Sequence, residues 1–270
     1  MRRLAIKDWH HSFRVYLIWV KMIWLYHLEY RLNAIVHSLG SIFWFGATLL
    51  TYFLIFRQIE SLAGWTWQEI LILYGAYNLW WGLMVCFFNG GLKMGQLVRQ
   101  GSLDKFLLYP GKSFFYATMK FEPELLVHFL VGLSLFVYAW VEAGFQLQAI
   151  NLILFLILIA NGLLIAYFVS MLFGITAFWF TENKHLVDFF WLFETLSKYP
   201  PSFFNKSTIL TLAVYSVIPV VFLVAVPTEV LIGRINYWAV LGSFLVIVVL
   251  GILAQRLWRL GLKNYTSVSR

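Results

Sequence analysis

INLILFLILIANGLLIAYFVSMLFGITAFWF, residues 150–180, runs for 31 positions without one charged side chain. A helix that is apolar all round must be covered on every side, and a helix of ~20 residues crosses the ~30 Å hydrocarbon core of a bilayer. This segment exceeds that length, so it is predicted to tilt or to project beyond the bilayer. Five other stretches read the same way: Ile35–Phe56, Ile70–Gly90, Phe121–Trp140, Thr208–Val226 and Tyr237–Leu257. Trp65, Trp67, Tyr138, Trp140, Tyr237 and Trp238 crowd the predicted ends, as interfacial anchors do. The expected fold is all-α, a polytopic membrane protein with six transmembrane helices.

The charges orient these spans. Of 20 Lys and Arg residues, 18 fall on one side if the chain starts inside. They are Arg2, Arg3, Lys7, Arg14, Lys21 and Arg31; Lys93, Arg99, Lys105, Lys112 and Lys120; Lys184, Lys198 and Lys206; and Arg256, Arg259, Lys263 and Arg270. Only Arg57 and Arg234 fall on the other. This positive-inside bias predicts a polytopic membrane protein with both termini cytoplasmic.

Composition excludes most other classes. Hydrophobic residues make up 61% of the chain and charged ones 12%, with a mean hydropathy of +0.79, values far from a soluble domain. A net charge of +8 in a soluble protein points to nucleic acid. Here the basic residues flank apolar spans, so anionic headgroups account for them and no nucleic-acid partner is expected. The single cysteine, Cys86, lies in an apolar run and reads as a buried, inert thiol. No secretory signal peptide is expected at the charged N-terminus.

Three domains of behaviour follow along the chain. Residues 1–34 form an interfacial element: Lys7, Arg14 and Lys21 recur every seven positions, with Phe13, Tyr16, Trp19, Val20 and Ile23 opposite. Residues 35–257 form the transmembrane domain, and 258–270 a basic cytoplasmic tail. Val187–Lys198 is apolar but short, carries Asp188, Glu194 and Lys198, and is stopped by Pro200 and Pro201. It is expected to lie at the interface or to re-enter partly. Pro219, inside the fifth predicted span, and Pro227, at its end, invite a kink or a break. Irregular backbone at that depth must be shielded or must line a wet cavity, so both prolines are candidates for a translocation path or gate.

Between the second and third spans the sequence reads Arg99-Gln100-Gly101-Ser102-Leu103-Asp104-Lys105-Phe106-Leu107-Leu108-Tyr109-Pro110. Gly101 suits a helix end, Ser102 an N-cap, and Asp104 a first turn, where the macrodipole favours an acid. Leu103, Phe106 and Leu107 form an apolar ridge on a short helix, about 102–109, that Pro110 ends. Such a ridge needs a membrane surface or a partner's groove to bury it.

Gly-x-Leu-Asp followed by Leu and Pro, in this loop, resembles the permeases of ABC-2-type exporters, in particular the small six-span bacterial proteins that work with a separate ATPase. Ile218-Pro219, then Val226-Pro227, then a final span with a basic tail, is similar too. The resemblance implies a coupling helix at Ser102–Tyr109 that docks into an ATPase subunit, with Gly101, Leu103, Asp104 and Pro110 matching the motif. It also implies pairing with a second copy or a similar permease chain, and it makes Leu4–Asn33 the amphipathic connecting helix.

No nucleotide site is expected in this chain. Gly111-Lys112-Ser113 imitates the end of a phosphate-binding loop, but position 106 is Phe106 where a glycine is required, and no strand leads in. ATP and Mg are therefore expected on a separate polypeptide. Neither His37 nor His128 has neighbours at metal-ligand spacing, Glu122 and Glu124 read as headgroup-level residues, and Asn78, Asn89 and Asn161 read as interhelical hydrogen-bond residues. The expected function is a permease subunit without catalysis of its own. The rivals are a membrane-embedded lipid-modifying enzyme, which would need a cluster of ionisable groups, and an ATP-independent channel or carrier.

Overall fold

The computed structural model describes residues 17–18, 20–25, 29, 31–108, 113–118, 121–180, 184–205, 207–217 and 219–265. All regular structure in these residues is helical. Five helices are long and apolar enough to cross a membrane. They lie within α1 (Arg31–Phe56), α2 (Trp67–Leu83, continued by a π turn to Phe88), α6 (Leu126–Ala143), α7 (Ala149–Ile175) and α11 (Tyr237–Asn264). Short helices α3 (Met94–Arg99), α4 (Leu103–Leu107) and α5 (Ser113–Thr118) fill the loop between α2 and α6.

Helix α2 is the axis. It is apolar on every side, and 72% of its apolar window is buried, against 6% for α1, which stands at the edge. Thr66 and Glu69 close a capping box at its start. Glycines let α6 lie directly on α2: a side chain on Gly75 would meet the backbone of Phe136, and one on Gly82 that of Phe129. Those pairs run in opposite directions along the two helices, so the packing is antiparallel. The loops 57–66, 144–148 and 232–236 consequently share one end of the bundle, the far end. The loop 89–125 and the close of α11, with Lys93, Arg99, Lys105, Arg256, Arg259 and Lys263, share the other, the basic end.

The stretch expected to lie at the interface or to re-enter partly runs along the bundle. Helix α8 (Lys184–Leu196) begins beside the basic end of α7, where Phe173 packs against Phe189 and Phe190. It rises past Tyr77, midway along α2, and its continuation reaches the far end, where the Ser202 hydroxyl donates to Ala63 O at 2.6 Å. Lys184–Leu196 is 13 residues, about 20 Å of helix, and the turn and 3₁₀ residues up to Phe203 carry the chain on to the far end. Charge and the Pro200-Pro201 stop concealed this passage in the sequence.

Thr208–Val226, expected as the fifth span, is correspondingly no continuous helix. It consists of α9 (Thr208–Leu212), a π turn over Ala213–Val217, a 3₁₀ turn over Val220–Phe222 and the start of α10 (Ala225–Leu231). It begins at the far end, where the Thr211 hydroxyl donates to Phe204 O, and returns there, where Arg234 meets Glu69. Its deepest point, Leu223, rests on Gly162, thirteen residues into α7. It is a hairpin that enters the bundle partway and leaves on the same side. The expected break at Pro219 is real; the crossing is not.

Of the amphipathic N-terminal stripe, only Leu17, Ile18 and Val20–Leu25 are described, as helix, with Trp24 ring-to-ring with Phe121 at 6.3 Å. Lys7, Arg14, Phe13, Tyr16 and Trp19 lie outside the described residues.

Candidate functional site

Two places carry functional geometry: the loop at the basic end and a groove inside the bundle.

In the loop, Gly101 adopts φ +66° and ends α3 as expected, since that backbone region favours glycine. Ser102 does not cap α4; it keeps helical dihedrals, and its hydroxyl donates back to Leu97 O at 3.3 Å. Asp104 occupies the first turn as expected. The apolar ridge is not free for a partner. Leu103 is fully buried among Met94, Met171, Ile175, Phe178 and Trp258, and Phe106 and Leu107 pack partly on the same cluster. The physical reason is reach: the last turns of α7 and α11 extend alongside α4 and supply the cover that the loop itself lacks. The outward face of α4 instead presents Lys105 and Leu108, which is 86% exposed. Tyr265, just after α11, stands beside Asp104; burial first, and that carboxylate second, push its phenol up to about 12. Pro110, Gly111 and Lys112 lie outside the described residues.

The groove separates α1 from α8. One cavity of about 550 Å³ is lined by residues of α1, α2, α6 and α8. A second, of about 480 Å³, continues toward the far end between α1 and Tyr199–Phe203. Trp44, Thr48 and Lys198 border both. Hydrogen bonds tie α1 across this space: the Tyr74 hydroxyl donates to Phe45 O at 3.1 Å, and the Tyr52 hydroxyl to Lys198 O at 3.2 Å. Glu194, 3% exposed, accepts a 2.5 Å hydrogen bond from Tyr77. His128, isolated in the sequence, meets Trp81 edge-on at 4.2 Å. Asn78 bonds within its own helix, to Tyr74 O, whereas Asn161 donates across to Ser243 of α11 as expected.

Pro219 and Pro227 border neither cavity. Pro219 starts the 3₁₀ turn at the hairpin's tip, and Pro227 sits in the first turn of α10, where its missing N–H costs nothing. The groove residues that sequence reasoning did not single out as a candidate site are Tyr77, Glu194 and Lys198. An ionisable residue on an apolar helix is the signal that points to the last two, and it operates only once Val187–Lys198 is seen to run along the bundle. Among the described residues no group of three or more His, Cys, Asp or Glu side chains is placed to hold a metal.

Residues 42–269 match the family model described as ABC-2 family transporter protein. No curated protein and no solved structure matches the chain.

Proposed function

Because the chain belongs to the ABC-2 family of transporter proteins, we propose that it is the membrane-spanning permease subunit of an ATP-driven exporter. It sits in the bacterial inner membrane with the basic end and both termini in the cytoplasm, as the positive-inside bias supports. ATP and Mg are bound by a separate ATPase subunit. Two permease chains, identical or similar, stand side by side and share one path, with two ATPase subunits below. The path runs along the groove between α1 and α8, where Trp44, Thr48 and Lys198 border both cavities.

The observation that carries this reading is how α4 is mounted. Leu103 is clamped into a cluster made by the basic ends of α3, α7 and α11, while Lys105 and Leu108 face outward. A push on the outer face of α4 is therefore delivered to the ends of two long helices rather than absorbed in a loose loop. That is what a coupling helix requires. Nucleotide-driven closure of the ATPase pair shifts the permease between access states to the extent that each state binds the partners differently.

The test is co-purification. Leu108→Asp combined with Lys105→Glu leaves the buried cluster intact and is expected to release the ATPase, or to abolish substrate-stimulated hydrolysis, in a correctly inserted protein. Unchanged association and hydrolysis would sink the assignment of α4.

A further inference from the structure

We propose that the groove between α1 and α8 binds a cationic amphiphile, an alkyl chain bearing one ammonium group, with Glu194 as its counter-ion and Lys198 as the ammonium it displaces. This inference rests on the permease reading and supplies the substrate class that reading lacks.

The chemistry of the walls selects the charge. Glu194 is buried at mid-height of the bundle, where an isolated carboxylate is costly unless a cation or a proton accompanies it. Tyr77 gives it one hydrogen bond and fixes its direction. The surrounding surface is aromatic, with Trp44, Trp81 and Trp191 among the lining residues, and ring faces attract cations most strongly where water is excluded. An anionic headgroup would meet both the carboxylate and these faces, with Lys198 alone to favour it. A neutral one would bring Glu194 no cation in exchange for Lys198.

The chain already places an ammonium of its own nearby. Lys198, in the turn just past α8, lines the same cavity as Glu194. Its Nζ lies over the Tyr77 ring, 6.0 Å from the centroid, and its charge acts on Glu194. Lys198 also borders the second cavity, so it has room to withdraw when another cation arrives. Among the described residues, Glu194 and Lys198 are the only Asp, Glu, Lys or Arg side chains lining either cavity. The second cavity, between Ile55, Leu62 and Phe203, accommodates the alkyl chain.

The experiment uses the full-length chain in lipid nanodiscs and measures saturable binding of radiolabelled dodecyltrimethylammonium. Dodecyl sulfate and dodecanol serve as competitors of equal chain length. The wild type is expected to bind the cation saturably, and neither competitor should displace it. Glu194→Gln, which keeps an acceptor for Tyr77, should weaken binding at least tenfold. Lys198→Met should strengthen it severalfold, a gain that misfolding cannot produce. The proposal is overturned by absence of saturable binding, by equal affinity in Glu194→Gln, by weaker binding in Lys198→Met, or by displacement with dodecyl sulfate. The assay needs neither ATP nor the ATPase, so any of those results leaves the exporter reading to its own co-purification test.

Discussion

Arg234 closes on Glu69 at 2.6 Å, joining positions 165 residues apart at the far end of the bundle. The other carboxylate oxygen of Glu69 accepts from Thr66 N at 2.9 Å, so one side chain both caps α2 and holds the exit of the hairpin. The Arg234 guanidinium also lies over Trp65, 5.4 Å from the ring centroid. Glu69 is 8% exposed by side chain and Arg234 43%, which makes the pair half screened.

Removing only the cation strands a buried carboxylate. Arg234→Gln is expected to cost about 1–2 kcal/mol, below the figure for a fully buried pair because water reaches the arginine. Adding Glu69→Gln should recover part of that loss. A double-mutant cycle on thermal unfolding in detergent checks it, and strictly additive effects would show that the pair contributes nothing.

Gly162 is the seat of the hairpin tip. A side chain there would overlap the carbonyl oxygen of Leu223, which is backbone and cannot rotate away. Gly162→Val should therefore destabilise the protein by about 1–3 kcal/mol and displace the hairpin. Gly46→Ala, with nothing within 4 Å of its Cβ, should leave unfolding unchanged.

Leu103 and Leu108 separate stability from partnership. Leu103→Ala opens a void under α7 and α11 and should cost about 2–5 kcal/mol in thermal unfolding of the permease alone. Leu108→Ala should leave that stability unchanged. Equal and small effects would mean that Leu103 is not clamped.

Side assignment distinguishes the two ways of counting spans. In a Cys86→Ala background, cysteine at the exposed positions Asn205 and Gln146 should react with a membrane-impermeant maleimide from outside, and cysteine at Lys105 only from inside. Reading Thr208–Val226 as a crossing places Asn205 with Lys105 instead. Labelling of 205 from the cytoplasmic side would restore that count.

The all-α membrane architecture and the four long spans α1, α2, α7 and α11 were legible because their apolar runs are long and their charges segregate. Helix α6 was read a few residues early, since Pro123 starts only a 3₁₀ turn before it. The exchange between α8 and the hairpin was not legible, for a physical reason: hydropathy scores side chains, whereas crossing also depends on which neighbours satisfy them. Glu194 and Lys198 look prohibitive in lipid but face Tyr77 and an aromatic groove. Ile209 and Leu212 look like lipid-facing span residues, yet their segment is interrupted within a few turns. At the loop, Gly101 and Asp104 were legible from local rules. The burial of Leu103 was not, because most of its cover, from Met171 to Trp258, comes from residues more than sixty positions away.

The hairpin between Ser207 and Gly233 also has a consequence for biogenesis. Its π and 3₁₀ turns leave main-chain groups without the regular bonding of an α-helix, and hydrocarbon cannot satisfy them. While the nascent chain emerges, this piece has no stable resting place of its own, however greasy it is. It can settle only after α2 and α7 have formed the slot with Gly162 at its floor, and Arg234 then fastens it to a helix made long before. Apolar content brings this segment to the membrane; the order of synthesis determines when it has somewhere to go.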